Sequence, residues 1–199
     1  MPKRVFDIVA SALGLALLSP LLIVVALWIK LDSRGPVLFR QERIGRHGVP
    51  FRIRKFRSMH VDAPRMGSAL TIGDDPRITR AGRFLRASKL DELPQLIDVL
   101  QGTMSLVGPR PEVPRYVALY PPELRDKVLS VRPGITDPAS IAAHGEAAQL
   151  GRAADPEREY VEVLMPAKLR LAAQYVEQAT LWTDLRLIVR TLLSIARRE

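Results

Sequence analysis

The feature that most constrains the fold is an uncharged, apolar run from residue 8 to residue 29, with Ser11 and Ser19 its polar side chains. Lys3, Arg4 and Asp7 precede it and Lys30 follows it. As a straight helix the run reaches about 33 Å, enough to cross the hydrocarbon core of a bilayer. It is long for a signal peptide, and no small-residue cleavage pattern comes after it. Two details compete with a simple crossing. Pro20 lies mid-run after Ser19, and an interior proline kinks a helix. Basic residues stand at both ends (Lys3 and Arg4, then Lys30 and Arg34), so the positive-inside rule assigns no orientation. A helix that breaks at Ser19-Pro20 and returns satisfies both facts. It sets both basic ends against anionic lipid, with the Ser19 hydroxyl serving a freed backbone group. On the residues alone a kinked spanning helix stands as the alternative. Asp7 is expected to pair with Lys3 and Arg4.

Residues 1–33 therefore read as a membrane segment, re-entrant or spanning, and 34–199 as a second domain. The chain has 199 residues, and its hydrophobic content of 47% suffices for a core. With no cysteine, disulfides, thiolate chemistry and zinc–thiolate sites are excluded. His47, His60 and His144 are too scattered to suggest a metal cluster. The net charge of +9 calls for an acidic partner: nucleotide, phospholipid surface or nucleic acid.

Val37–Glu42 and Phe51–Arg54 read as short strands joined through Gly45-Arg46-His47-Gly48. Lys55, Arg57 and Ser58 form a basic edge beyond them. Residues 61–71, with Pro64 and Gly67, read as a loop. Asp74-Asp75-Pro76-Arg77 is a turn; metal binding by Asp74 or Asp75 is the second reading.

The densest chemistry lies in Ser88–Glu112, SKLDELPQLIDVLQGTMSLVGPRPE. Leu90, Leu93, Leu96, Ile97 and Leu100 recur at helical spacing. Pro94 is tolerated only near a helix start, so the helix begins close to Asp91 or Glu92, and Gly102 stops it. Asp91 reads either as an N-cap, or as a carboxylate nucleophile or metal ligand beside free backbone N–H groups. Neighbouring helical residues point about 100° apart, so Asp91 and Glu92 have different jobs. Arg83 and Arg86 upstream, and Arg110 between Pro109 and Pro111, put cations on both sides of the pair. That suits a phosphorylated substrate and a divalent metal.

In the C-terminal third a short helix is expected within residues 119–131, and then a rigid turn at Arg132–Thr136. Residues 139–154 have a weak pattern and read as partly disordered or an interaction segment. Tyr160, Val161, Leu164, Leu169, Ala172, Tyr175 and Val176 mark a helix. In the last segment Leu181, Trp182, Leu185, Ile188, Val189, Leu192, Leu193 and Ala196 share a face. Asp184, Arg186, Arg190 and Arg197 lie mainly opposite. Such a helix suits a membrane interface or core packing equally.

DDPRITRAGRFLRASKLDELPQL, with GTMSLVGPRPE after it, resembles the core of the bacterial sugar transferases, monotopic phosphoglycosyl transferases acting on a polyprenol phosphate. KRVFDI at Lys3–Ile8, Ser19-Pro20, RQERIGRHGVPFRIRKFRSM at Arg40–Met59 and VRPGIT at Val131–Thr136 extend the likeness over nearly the whole chain. The resemblance implies a mainly α, α+β fold: a re-entrant N-terminal helix, a small β-hairpin and interfacial helices around one catalytic core. It implies transfer of a sugar 1-phosphate from a UDP-sugar to polyprenol (undecaprenyl) phosphate, releasing UMP, at the cytoplasmic face of the bacterial inner membrane. Asp91 is then the nucleophile, Glu92 and Asp91 hold Mg²⁺, and Lys55, Arg86 and Arg110 bind phosphate. Phospholipid is a further partner, nucleic acid is not, and a homo-oligomer is compatible with the sequence. The resemblance also makes Lys3, Arg4 and Asp7 an anchor between membrane helix and core. After Thr136 the commonest pattern has glycine; here the chain reads Asp137-Pro138-Ala139-Ser140, so no contact carries over.

Two other classes compete with this reading. An inactive membrane-anchored scaffold explains the hairpin and the basic surface but has no use for a carboxylate pair bracketed by arginines. A nucleic-acid-binding protein explains the charge, but the basic stretches lack interleaved aromatics, and the apolar N-terminus has no place in it.

Overall fold

A computed structural model describes residues 2–63, 66, 70–73, 75–142 and 145–196. Pro64, Gly67, Asp74, His144 and Arg197 lie outside the described residues, and with them the loop, turn and helix-face expectations at those positions.

The chain opens with helix α1, Pro2–Asp32. Its residues form helix without interruption through Ser19 and Pro20, and the Ser19 hydroxyl donates to Ala16 O at 2.8 Å. The helix–break–helix expected there is thus one continuous helix. Proline costs one backbone bond, and the helical bonds on either side carry the chain past it. Its 31 residues extend about 46 Å. Both ends are tied to one body. Near the start, Arg4 donates to Val99 O and Leu100 O at 2.6 and 3.0 Å, closing the C-terminal carbonyls of α3 (Gln95–Gln101). Asp7, expected to pair with Lys3 and Arg4, accepts instead from Ser105 Oγ and Leu106 N at 2.8 and 3.2 Å. Lys3 turns to Asp184 and Val107 O. These bonds satisfy a carboxylate that is 2% exposed, which an exposed ion pair would not do. Near the far end, Val25 and Ile29 pack on Phe56 and Leu85. Asp32 accepts from Ala81 N at 3.1 Å, and Arg57, part of the basic edge, is spent on Ser33 O and Arg34 O.

β1 (Leu38–Ile44) and β2 (Pro50–Phe56) form an antiparallel hairpin, Gln41 opposite Ile53. Its tight connection places His47 at φ 58°. α2 (Arg80–Ala87) starts at Thr79, whose hydroxyl accepts from Gly82 N at 2.9 Å. Gly82 has no alternative, because a Cβ there would lie 1.9 Å from Ser58 O. β3 (Ser105–Val107) pairs in parallel with β4 (Gly134–Thr136), a pairing that joins the end of the central segment to the turn expected at Arg132–Thr136.

α4 (Pro114–Val117), α5 (Pro122–Val128), α6 (Pro138–Ala142), α7 (Glu146–Arg152) and α8 (Pro156–Glu159) are short. A π-helical turn, Tyr160–Leu164, leads into α9 (Met165–Gln178). The segment expected to be loose is largely helical where described, and Leu150 is buried in the largest core cluster with Val113, Tyr116, Tyr160, Met165, Leu169 and Ala172. Weak periodicity there reflects helices only two turns or less in length.

α10 (Leu181–Ala196) leaves its apolar face exposed, as the interface reading expects and the core-packing reading does not, and departs from the expected polar face at Asp184. Asp184 is buried, held by Lys3 and by Tyr175 Oη at 2.6 Å, and Thr191 meets Thr136 at 2.6 Å. Leu181, Trp182, Val189, Leu192 and Leu193 are exposed, and Arg186 stacks on Trp182 with 5.3 Å to the ring centroid. α1 does the same along Val5, Val9, Leu13, Leu17, Leu21, Val24, Leu27 and Leu31, one stripe at helical spacing. Only 11% of its most apolar stretch is buried, which excludes an ordinary core helix.

Candidate active site

Asp91 and Glu92 sit on a 3₁₀ turn, Leu90–Glu92, rather than in the first turn of the α-helix, which starts at Gln95. Lys89 enters the turn at φ 60°, a left-handed conformation that costs a non-glycine residue about 1–3 kcal/mol. Leu93 and Pro94 carry the chain into α3. Asp98 fixes that helix to the hairpin by accepting from Arg54 N at 2.9 Å and pairing with the Arg54 guanidinium. Gly102, at φ 87°, ends it as expected and donates to Asp98 O and Val99 O. The leucine spacing signals this helix imperfectly: Leu96 and Val99 are buried, but so are Gln95 and Asp98.

The two carboxylates have opposite surroundings. Glu92 receives Lys55 Nζ at 2.9 Å and both terminal nitrogens of Arg110. Burial opposes its charge, but Arg110 and Lys55 outweigh burial by attraction and hydrogen bonding, and hold the Glu92 carboxyl well below the usual carboxylate range. Asp91 caps nothing. Its Oδ1 is buried and has no hydrogen-bond partner among the described residues. Burial, and then the neighbouring Glu92 charge, push the Asp91 carboxyl up, against the pull of Lys55, Arg86 and Lys89. Lys55 is pushed down by burial, with Glu92 opposing.

The structure thus gathers Asp91, Glu92, Lys55 and Arg110. Arg86 lies close enough to act electrostatically on Asp91, while its guanidinium donates to Thr71 Oγ1 at 2.8 Å. Arg83 is exposed. Asp75 is spent on Arg77 at 2.6 Å, as a turn residue.

Three neighbours escape a reading of the sequence. Arg43 donates to Pro111 O at 3.1 Å and to Glu112 at 3.4 Å. Glu112 also accepts from Tyr160 Oη at 3.1 Å. Asp137 accepts from Arg110 N at 3.2 Å. Arg43 and Glu112 lie inside the family motifs without a sequence signal for their pairing. Asp137 does carry one, being the departure from the commonest pattern.

The model of the family described as bacterial sugar transferase matches residues 1–198. The chain is 44% identical over 206 residues to the UDP-glucose:undecaprenyl-phosphate glucose-1-phosphate transferase of Caulobacter vibrioides, covering 97% of this chain and 69% of that protein. It is 43% identical to the undecaprenyl-phosphate glucose phosphotransferase of Komagataeibacter xylinus, covering 96% of this chain and 35% of the relative. It is 38% identical to an Aeromonas hydrophila protein named as a UDP-N-acetylgalactosamine-undecaprenyl-phosphate N-acetylgalactosaminephosphotransferase, covering 97% and 43%. The chain thus spans less than half the length of the second and third relatives, and that shared part holds the buried carboxylate turn and its cations. The chain belongs to the bacterial sugar transferase family.

Proposed function

We propose that the protein transfers a sugar 1-phosphate from a UDP-sugar to a polyprenol phosphate such as undecaprenyl phosphate, through a covalent intermediate on Asp91. The observation that carries this is the division between adjacent carboxylates: Glu92 saturated by cations, Asp91 buried with a free oxygen. A carboxylate oxygen that is buried and accepts no hydrogen bond is a stronger nucleophile than a solvated one. An Asp91 oxygen attacks the sugar-bearing phosphorus; the diphosphate bond breaks and UMP leaves with its electron pair. The acceptor's phosphate oxygen then attacks the same phosphorus and releases the Asp91 carboxylate. Positioning and charge neutralisation do most of the work in phosphoryl transfer, and Arg110, Lys55 and Arg86 are the groups for it.

Magnesium, when bound, would neutralise more of the diphosphate charge. The free Asp91 oxygen fits such an ion, which takes one or two carboxylates and fills its shell with phosphate and water. Glu92 is committed to Arg110 and Lys55; it becomes available to metal only as donor phosphates draw those cations away.

Membrane placement belongs to the same proposal. Both ends of α1 bind one body, so a crossing would drag charged neighbours into a hydrocarbon core about 30 Å thick. Entry from one face, the cytoplasmic face where nucleotide sugars are made, is supported by the exposed apolar stripes of α1 and α10. A lipid acceptor whose phosphate sits at that interface meets the site there.

The test is UMP release from a panel of UDP-sugars by purified protein with Mg²⁺, with and without polyprenol phosphate. Sustained release that needs the lipid, lost in Asp91→Asn, is expected, together with a stoichiometric burst without lipid. Release by Asp91→Asn at the wild-type rate would sink the assignment of Asp91.

A further inference from the structure

Pro109 and Pro111 have no N–H, so Arg110 owns the one backbone donor of the triplet. That donor goes to Asp137 Oδ2 at 3.2 Å. The carboxylate is 2% exposed, and its other oxygen accepts from Ser140 N at 2.6 Å, which locks it to the start of α6. The flanks of the triplet are held too. Gly134 N donates to Pro109 O at 3.0 Å and Gly108 N to Thr136 O at 3.1 Å. This approach requires glycine at 134, where a Cβ would lie 2.1 Å from Gly108 N. Arg43 takes Pro111 O from the hairpin side.

The guanidinium end of Arg110 is held differently. It is paired with Glu92, a partner that the donor's phosphates would replace. Once that pair is exchanged, the root of the side chain is what still fixes where the charge points, and Asp137 holds the root. Its charge also acts on the guanidinium itself, in the same direction as Glu92.

We propose that Asp137 is a positioning residue for Arg110, fixing the backbone from which the guanidinium reaches the diphosphate of the donor. It acts on transfer through Arg110 and not through a contact with substrate. The proposal rests on the transferase reading above. It also gives a role to the segment where this chain departs from the commonest pattern after Thr136: the carboxylate supplies an additional, charged tether that glycine does not.

The test is a double-mutant cycle on the full chain, read by kcat/KM for UMP release and by the Kd of UDP. Asp137→Ala is expected to lower kcat/KM by about 10- to 100-fold, because Arg110 N loses a charge-assisted hydrogen bond to a buried carboxylate. Asp137→Asn keeps an acceptor oxygen and is expected to lose about 3- to 10-fold. In an Arg110→Ala background neither change should cost more than about twofold, since both act through one group. Asp137→Asn serves alone for the cycle where Asp137→Ala does not fold. Losses that multiply in the double variants, or Asp137 variants with wild-type kcat/KM, overturn the proposal. Wild-type protein that neither releases UMP from any UDP-sugar nor binds UDP overturns the transferase reading, and the role of Asp137 with it.

Discussion

The carboxylate turn and the two outward-facing helices depart from the usual partition of a water-soluble fold in opposite ways. The turn at Leu90–Glu92 buries charge in Asp91 and Glu92, with buried Asp137 and half-buried Lys55 near them. α1 and α10 expose leucine, isoleucine, valine and tryptophan and turn Asp7, Asp184 and Thr191 inward. α9, the immediate neighbour of α10 in the chain, does the ordinary thing and buries Met165, Leu169, Ala172 and Tyr175. Buried charge can be satisfied within the protein, and Glu92 shows how. Exposed apolar stripes of this length have no such internal remedy. On the proposed function, a charged ligand completes one region and an apolar environment the other.

Removing the Asp91 carboxylate breaks the first half of that comparison with the largest effect. Asp91→Asn keeps shape and size, so it should leave the fold intact while lowering kcat by at least about 1,000-fold, or roughly 4 kcal/mol of barrier. Circular dichroism and a thermal melt beside the kinetic assay separate the two. A mutant that melts early and loses activity in proportion would make Asp91 a structural residue.

The second half breaks at Leu17 and Leu192, which are 81% and 61% exposed. In water, Leu17→Asp or Leu192→Asp would cost little. On a lipid surface each removes most of a side-chain transfer energy of about 1.5–3 kcal/mol. Binding to vesicles containing anionic phospholipid, measured by co-sedimentation, should therefore fall about tenfold or more for each change. Unchanged binding would return these helices to the category of exposed but idle apolar surface.

How far the sequence can be read depends on the range of the interaction that decides each feature. The hairpin, the Gly102 stop and the long apolar helix follow from local chemistry, and each is visible in residue order. The unbroken passage of α1 through Pro20 is not, because proline marks a weakened helix without saying whether flanking helical bonds hold it. Asp7 looks like a partner for Lys3 and Arg4 because they are near in sequence; its actual donors are 98 and 99 positions away. Asp184 reads as part of a solvated face for the same reason. Asp91 and Glu92 can be inferred to differ, but their difference depends on Lys55 and Arg110, brought in by β2 and by the β3–β4 pairing. Lys89 at positive φ leaves no trace in the sequence at all.

Glu92→Gln sharpens the comparison from the side of stability. It leaves Lys55 and Arg110 facing a neutral amide, and Lys55 is largely shielded from solvent, with 18% of its side chain exposed. Stability should fall by about 2 kcal/mol, or about 4–8 °C in Tm. The sign with pH comes from Glu92's depressed pKa. An unfolded glutamate titrates near 4.3. Above that pH the folded state gains from holding Glu92 ionised, and the gain disappears as pH falls through its lower folded pKa. The stability gap between wild type and Glu92→Gln should accordingly be constant near neutrality and close in acid. A gap that stays open to the lowest pH at which both fold would mean the loss comes from packing rather than charge.

The smallest expected effect probes how Asp91 is kept ready. Burial and the Glu92 charge raise its pKa, and Arg86 is one of three cations that pull it back. A nucleophilic carboxylate must be ionised, so activity is lost as pH falls through the pKa of Asp91. That acidic limb should lie above the range of an ordinary aspartate, near 3.9. Arg86→Gln removes one attraction to the ionised form, so it raises the pKa further, and the limb of kcat moves to higher pH. Lys55 and Lys89 remain, which limits the shift. Arg86 is also a candidate phosphate group, so kcat/KM at the plateau should fall in the same variant. The two effects separate in the profile: lost phosphate binding lowers the plateau, and lost electrostatic support for Asp91 moves the limb. A lowered plateau with an unmoved limb would confine Arg86 to substrate binding and leave Lys55 and Lys89 as the cations that keep Asp91 charged.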